Sequence, residues 1–247
     1  MTRDRGRAAA EAGTGGHAGP EYSVIVPTLD EEAQLEETLQ RAKCALGPET
    51  EFIIVDGGSR DRTRAIAGRY GKVLIASRGR GVQLAAGARE ATGRVLVFLH
   101  ADTWLPEGSA AALRESVLAG AGAGCFRFAL HPRAREVRYR VLEWGVNWRT
   151  RRFRTATGDQ TIFASRAAYD ACGGIPALPL FEDVAFVRAV RRVTRFEPLP
   201  EAARTSRRRW EGAFLRTIVR HWVLRATFAA GVNPRRLSRY HERRGPP

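Results

Sequence analysis

From Tyr22 onward, short unbroken apolar runs alternate with stretches in which apolar residues recur every three or four positions. The runs YSVIVP (22–27), EFIIVD (51–56), KVLIAS (72–77) and RVLVFLH (94–100) predict strands buried on both faces, as in a parallel sheet. Between them, residues 31–46, 61–70 and 81–91 carry helical spacing, so strand and helix alternate into a doubly wound α/β sheet. After residue 103 the pattern loosens. It still predicts a helix over 105–119, a strand over 123–130, an aromatic and arginine-rich amphipathic helix over 133–154, and a strand and helix over 158–172. Helical segments over 181–193 and 213–231 complete the reading.

In such sheets ligands bind beyond the carboxyl ends of the strands. Three predicted strand ends carry acids there: Asp30 and Glu31 after the first, Asp56 after the second, Asp102 after the fourth. Carboxylates accept hydrogen bonds from a base or ribose and bind hard divalent cations, while RGRG (78–81) at a helix start supplies positive charge for phosphate. Each motif by itself is equally compatible with a helix cap or a solvated loop.

Composition changes this picture in one respect. The 41 basic against 26 acidic residues give a formal charge of +15, and only Lys43 and Lys72 among the basic residues are lysine. Residues 1–126 and 155–200 are close to neutral, so the excess sits in 127–154 and 201–247. A binding surface confined to those segments is implied, not a generally cationic protein. A nucleic-acid-binding module rests on the charge alone, since no nucleic-acid motif accompanies it. Cys44, Cys125 and Cys172 fall into no metal or disulfide spacing, which fits a reducing compartment. Residues 1–20 read as a disordered tail, and no window is apolar enough to span a bilayer.

Taken in order, VIVPTLDEE, VDGGSRDRT, RGRGVQLAAGAREATG, FLHADT, TGDQTIFASR and FEDV resemble glycosyltransferase family 2, and most closely its small subgroup with HADT in place of D-x-D. The resemblance covers about residues 22–231. It implies a GT-A fold: a mixed, doubly wound sheet with a Rossmann-like nucleotide-sugar half at 21–103, an acceptor half at 104–210, and a basic amphipathic helix and tail over 211–247. It also implies inverting transfer from a nucleotide-diphosphate sugar, UDP favoured, with Mn²⁺ or Mg²⁺.

Carried over position by position, Pro27, Glu31 and Asp56 match the nucleoside pocket, with Asp56 at the base and Arg80 on the donor phosphates. Asp102 matches the metal-binding aspartate. His100 stands where the first aspartate of that motif sits, either touching ribose or metal as a neutral imidazole or packing and hydrogen-bonding nearby. Asp183 of FEDV matches the general base with Glu182 as its neighbour, and the plainer reading is that both cap the following helix. Asp159 and Gln160 match the acceptor-side segment. TSRRRWEG partly matches a Q-x-x-R-W signature, with Ser206 at the glutamine position, Arg209 for diphosphate and Trp210 for stacking on an acceptor.

The resemblance extends to apolar or lipid-like acceptors such as polyprenyl or carotenoid compounds. The basic aromatic segments then suggest a peripheral position on the anionic inner face of the cell membrane; alternatively their apolar faces simply pack on the core. A nucleotidyltransferase of similar strand order is the competing enzymatic reading.

Overall fold

The computed structural model describes residues 19–132, 136–210, 214–234 and 236–237. The expected tail therefore lies, up to residue 18, outside the described residues, as do 238–247. One eight-stranded sheet runs through the molecule: β1 (Tyr22–Thr28), β2 (Thr50–Asp56), β3 (Lys72–Ile75), β4 (Val95–Phe98), β5 (Thr103–Trp104), β6 (Ala123–His131), β7 (Ile162–Ser165) and β8 (Phe196–Ser206), in the order 3-2-1-4-7-6-8-5. Strands β3, β2, β1 and β4 pair in parallel, and β7 enters antiparallel to both β4 and β6. The sheet is thus mixed, with a parallel Rossmann-like half and a second half in which β7 and β5 pair antiparallel while β6 and β8 pair in parallel, as the family resemblance implied.

β1, β2 and β4 form where they do because both of their faces are buried; β3, expected to be equally buried, is instead the exposed edge of the sheet, with Ile75 72% exposed. Val24, Val26, Phe52, Ile54, Val95 and Val97 face one layer, shared with Leu35, Leu39 and Ala42 of α1 (Leu35–Leu46) and Leu113 of α4 (Ser109–Leu118). Their sequence neighbours Ile25, Ile53, Val55, Leu96 and Phe98 face the other, shared with Leu84 and Ala88 of α3 (Arg80–Glu90) and with Phe186, Val187 and Val190 of α7 (Glu182–Val190). Alternation along an extended chain delivers the two sets to opposite faces. A short α2 (Thr63–Ala67) joins β2 to β3, and α6 (Arg166–Ala171) follows β7.

Two strands depart from the sequence reading. β5 is a two-residue edge pair with β8, too short to leave a periodic signature. β8 contains Pro198 and Pro200, residues that break strand patterns because they donate no backbone hydrogen bond. The structure accommodates them beside β6 with a register shift between Cys125 and Arg127.

A third apolar cluster, Phe128, Leu130, Tyr139 and Trp210, lies between β6 and two helices, α5 (Val137–Phe153) and α8 (Phe214–Ala229). Asn147 of α5 secures this contact by accepting from the Phe128 N–H at 2.8 Å and donating to the Phe128 carbonyl at 2.9 Å. Cys44, Cys125 and Cys172 are all free thiols.

Candidate active site

Because β1, β2 and β4 are parallel, the segments that follow them all emerge at one edge of the sheet. Asp56, the last residue of β2, is 0% exposed, and its carboxylate organises the turn after it. Oδ1 accepts from the Gly58 and Ser59 N–H groups at 3.0 and 2.9 Å, while Oδ2 accepts from the Ser59 and Thr28 hydroxyls. Gly58 sits at φ +99°, a left-handed conformation in which a side chain would be strained. Asp30 ties the same turn to the end of β1: its Oδ1 accepts from Arg60 N–H at 2.8 Å and its own N–H donates to Ser59 Oγ at 2.9 Å.

A hollow of about 440 Å³ opens here, lined by Leu29, Asp30, Gly57, Gly58, Arg60 and Arg78. A larger one, about 730 Å³, lies at the opposite edge beside Glu21, Glu51 and Arg114. Its acids are already engaged, Glu21 with Arg114 at 2.7 Å and Glu51 with Ser23, Thr92 and Gly93, so the smaller hollow is the one that fits the chemistry.

Pro27 is buried in β1, opposite Val55. Glu31 is half-buried just past it, and Arg208 reaches its Oε2 at 3.4 Å from beyond β8. Gln83 is a residue that sequence reasoning missed, although it stands inside the helix motif. It is buried in α3, and its Nε2 donates to the Thr28 and Val55 carbonyls at 2.9 and 2.7 Å, fixing the spacing of β1 and β2 where the hollow opens.

The remaining expected acids converge on Arg80. Its Nε lies 3.1 Å from Oε1 of Glu182, and the charges of Glu182, then Asp183, Asp159 and Asp102, hold its proton more firmly than usual. Of these acids Glu182 touches Arg80, and Asp183, Asp159 and Asp102, from segments remote in sequence, act on it through their charge. Glu182 is 1% exposed; burial raises its proton affinity against the opposing pull of Arg80. Asp183, 9% exposed, accepts the Gly158 N–H on Oδ2 at 2.8 Å and its own helix's Val184 N–H on Oδ1 at 2.6 Å. Phe181 precedes the helix and no side chain caps it, so Asp183 takes up one first-turn N–H from within α7 while facing the cluster.

His100 is nearly buried, with Nδ1 3.1 Å from Asp159 Oδ1. Its Nε2 packs against Gly158 so closely that a methyl group at 158 would fall on the imidazole ring. The imidazole is thus held by packing on Gly158 and by its pairing with Asp159. Asp102 is half-buried; its backbone carbonyl accepts from Ser206 N–H at 2.9 Å, tying β4's exit to β8.

Two expectations are corrected. Gln160 is wholly buried, its amide bonded to Thr150 Oγ1 and the Phe126 carbonyl at 3.1 and 3.4 Å and its Oε1 to Thr157 N–H, so it holds a turn against α5 instead of meeting an acceptor. Trp210 is 6% exposed inside the third cluster, 6.3 Å from the Phe214 ring, and anchors α8 instead of stacking on a ligand. The side chain of Arg209 lies outside the described residues.

Residues 23–171 match the family model described as glycosyl transferase family 2. The chain belongs to glycosyltransferase family 2. The enzyme has the GT-A fold, shared with S. aureus TarS 1–349 (TM-score 0.60, 17% identity, 76% of this chain and 61% of that one). It is shared too with mannosyltransferase PcManGT from Pyrobaculum calidifontis in complex with GDP-Man and Mn²⁺ (0.61, 20%, 84% and 61%). A third is glucosyl-3-phosphoglycerate synthase from Mycobacterium tuberculosis in complex with Mg²⁺ and UDP (0.57, 20%, 82% and 78%).

In sequence, a 96-residue stretch is 35% identical to the undecaprenyl-phosphate 4-deoxy-4-formamido-L-arabinose transferase of Pseudomonas aeruginosa, covering 34% of this chain. The matched stretch spans only 28% of that relative's length. Family membership makes this glycosyltransferase an enzyme of sugar transfer, not of nucleotidyl transfer.

Proposed function

We propose that this glycosyltransferase moves one sugar, with inversion, from a nucleotide-diphosphate sugar to an apolar, lipid-like acceptor at a membrane surface. The observation that carries the reading is the cluster of Asp102, Asp159, Glu182 and Asp183 around Arg80, at the same sheet edge as the hollow beside Asp56. The hollow, with Asp30, Arg60 and Arg78 on its walls, suits a nucleoside, UDP above others. Glu31, held from the side by Arg208, follows Asp30 of that wall in sequence.

Arg80 would face the diphosphate, and Asp183 the acceptor on the opposite side of the anomeric carbon. Asp183 is suited to receive a hydroxyl proton because the Gly158 N–H and the start of α7 fix its carboxylate. With a hydroxyl acceptor the oxygen attacks the anomeric carbon, the bond to the diphosphate breaks, and the proton passes to Asp183.

The residues present fit a hard divalent cation in one specific way. Among the described residues no three metal-binding side chains close around a point, so Asp102 would supply one carboxylate and the donor's phosphates the further oxygens, as Mg²⁺ and Mn²⁺ sites accept. Such an ion supplies charge neutralisation on the departing diphosphate.

The acceptor class is supported by the two helices over the third cluster. On α5, Val137, Val141, Trp144 and Trp148 form an exposed stripe, Trp144 being 64% exposed and its ring 6.3 Å from that of Trp148. On α8, Leu215, Val219, Trp222 and Val223 form another, with Trp222 66% exposed. The helices are adjacent, since the Tyr139 and Phe214 rings meet edge-on at 5.3 Å.

Apolar stripes flanked by Arg138, Arg140, Arg151, Arg152, Arg216 and Arg220 suit the interface of an anionic bilayer, such as the inner face of a cell membrane. No described helix is long and apolar enough to cross a membrane. Polyprenyl and carotenoid compounds are acceptors of the required character.

The test is isothermal titration with UDP and Mn²⁺. Asp56→Ala and Asp102→Ala should each weaken binding by about tenfold or more, through loss of the turn and of a charge-assisted contact respectively. Unchanged affinity in both variants overturns the reading.

A further inference from the structure

Arg149 is the most unusual cation in the molecule. It stands on α5 between Asn147, which clamps β6, and Thr150, which donates to Gln160 Oε1 at 3.2 Å, so the inner face of the helix is fixed on both sides of it. Its Nε and Nη2 atoms are shut off from solvent and meet no hydrogen-bond partner among the described residues. Buried guanidinium N–H groups are normally bonded, because leaving them bare forfeits hydration without recompense.

The surroundings say what would complete it. Burial and then the charge of Arg225 lower the proton affinity of Arg149 to a pKa of about 10, while Asp183 and Asp159 pull the other way. Arg225 of α8 is itself shifted downward by burial, with Asp183 opposing and Arg188 reinforcing. Arg149, with its bare nitrogens, and Arg225 are thus both partly dehydrated, and the charge of Asp183 acts on each. Arg80 is separately occupied by Glu182. A group carrying one or more negative charges and several acceptor oxygens is what two such arginines hold.

We propose that Arg149 and Arg225 form the subsite for an anionic acceptor head, a phosphate or carboxylate whose own oxygen is the nucleophile. This deepens the proposed transfer to an apolar acceptor and rests on it. Both arginines stand on α5 and α8, the two helices that carry the exposed stripes, so a lipid lying on those helices would pass its head from the outer faces inward to the arginines.

The transfer then balances without a base. A lone pair on the acceptor phosphate or carboxylate oxygen forms the new bond to the anomeric carbon. The bond from that carbon to the diphosphate oxygen breaks, and the nucleoside diphosphate leaves with the electron pair. No proton has to be moved, and Asp183 opposes the positive charge of the arginines instead of accepting one.

The experiment measures binding of farnesyl phosphate and of farnesol to the full chain in detergent micelles, with inorganic phosphate as competitor and UDP titrated separately. Wild-type protein should prefer farnesyl phosphate by about tenfold or more, the scale of a hydrogen-bonded charge pair. Arg149→Gln and Arg225→Gln should each bring the ratio to within about threefold of unity while UDP affinity stays within about twofold; Arg149→Lys, keeping the charge, should retain part of the preference.

Three outcomes overturn the subsite: no headgroup preference in the wild type, a preference that survives both Gln variants, or a parallel loss of UDP affinity, which would move the arginines to the donor diphosphate. Inorganic phosphate displacing farnesyl phosphate at equal concentration would assign the pair to free phosphate and overturn the acceptor role. Failure of wild-type protein to bind UDP would overturn the wider transfer reading, yet leave a measured headgroup preference standing.

Discussion

In the half of the sheet built from β1 to β4, the Asp56 carboxylate meets two N–H groups and two hydroxyls, and Gln83 ties β1 to β2 from α3. Behind α5 and α8, in contrast, Arg149 keeps two buried nitrogens without partners among the described residues, and apolar side chains stand in the open on both helices. The walls of the first region's hollow are set by bonds already made, and the nucleotide proposed to enter it would meet a preformed cavity. The second has incomplete hydrogen bonding and uncovered apolar surface, which is the state of a region that finishes its structure against something else. Preformed geometry serves recognition of a rigid, polar ligand, while an open apolar and cationic face serves one that is long and flexible.

The sharpest way to break this comparison is at Asp183, where the two regions meet. With a hydroxyl acceptor, Asp183→Asn keeps an oxygen for the Gly158 N–H but removes the base, and should lower kcat by roughly 10²–10⁴-fold. With an anionic acceptor the same variant should lose less than about tenfold. Steady-state rates with the two acceptor classes decide between them, and equal losses would erase the distinction.

The open face is tested next. Replacing Trp144, Trp148 and Trp222 together by serine should weaken partition onto phosphatidylglycerol-rich vesicles by about a hundredfold, from the apolar area withdrawn. UDP affinity should be unaffected. Cosedimentation reads the first quantity and calorimetry the second.

A smaller effect is expected at Gly158, whose N–H holds Asp183 and whose missing side chain admits His100. Gly158→Ala should displace the imidazole and reduce kcat by about tenfold, since misplacement of catalytic groups is costly, with donor KM little changed.

The smallest belongs to the closed half. Burial raises the proton affinity of Glu51, but hydrogen bonds from the Ser23 and Thr92 hydroxyls and the Thr92 and Gly93 N–H groups prevail, and its pKa is lowered. A carboxylate depressed in this way stabilises the fold above its unfolded pKa, and that contribution disappears as pH falls through the folded value. Glu51→Gln should lower Tm by about 2 °C at neutral pH and by nothing measurable at low pH, where both forms are uncharged, as thermal melts across the range would show.

The closed half was also the legible one. Its strands β1, β2 and β4 are continuous apolar runs because they are buried on both faces, and the acids follow where each run stops, so Glu31, Asp56 and Asp102 could be placed from order alone. Beyond residue 103 the information is tertiary. Pro198 and Pro200 hide β8 because its irregular pairing with β6 is decided by the partner strand. Trp210 and Gln160 looked like ligands because a family motif records position and not which way a side chain turns; one is swallowed by an apolar cluster and the other by a turn. Arg149 was lost among the arginines of its helix. Nothing local distinguishes a guanidinium that lacks partners from one that is solvated.

Phe181 immediately precedes Glu182 and Asp183, holds a left-handed backbone at φ +62°, and stacks its ring on Phe228 of α8 at 4.8 Å. Aromatic residues resist that conformation, so the stack with Phe228 is part of what keeps the turn in place. Through that stack α8 bears directly on the turn that presents Glu182 and Asp183, so the helix proposed to meet the lipid and the carboxylates proposed to act on it are joined by one ring contact.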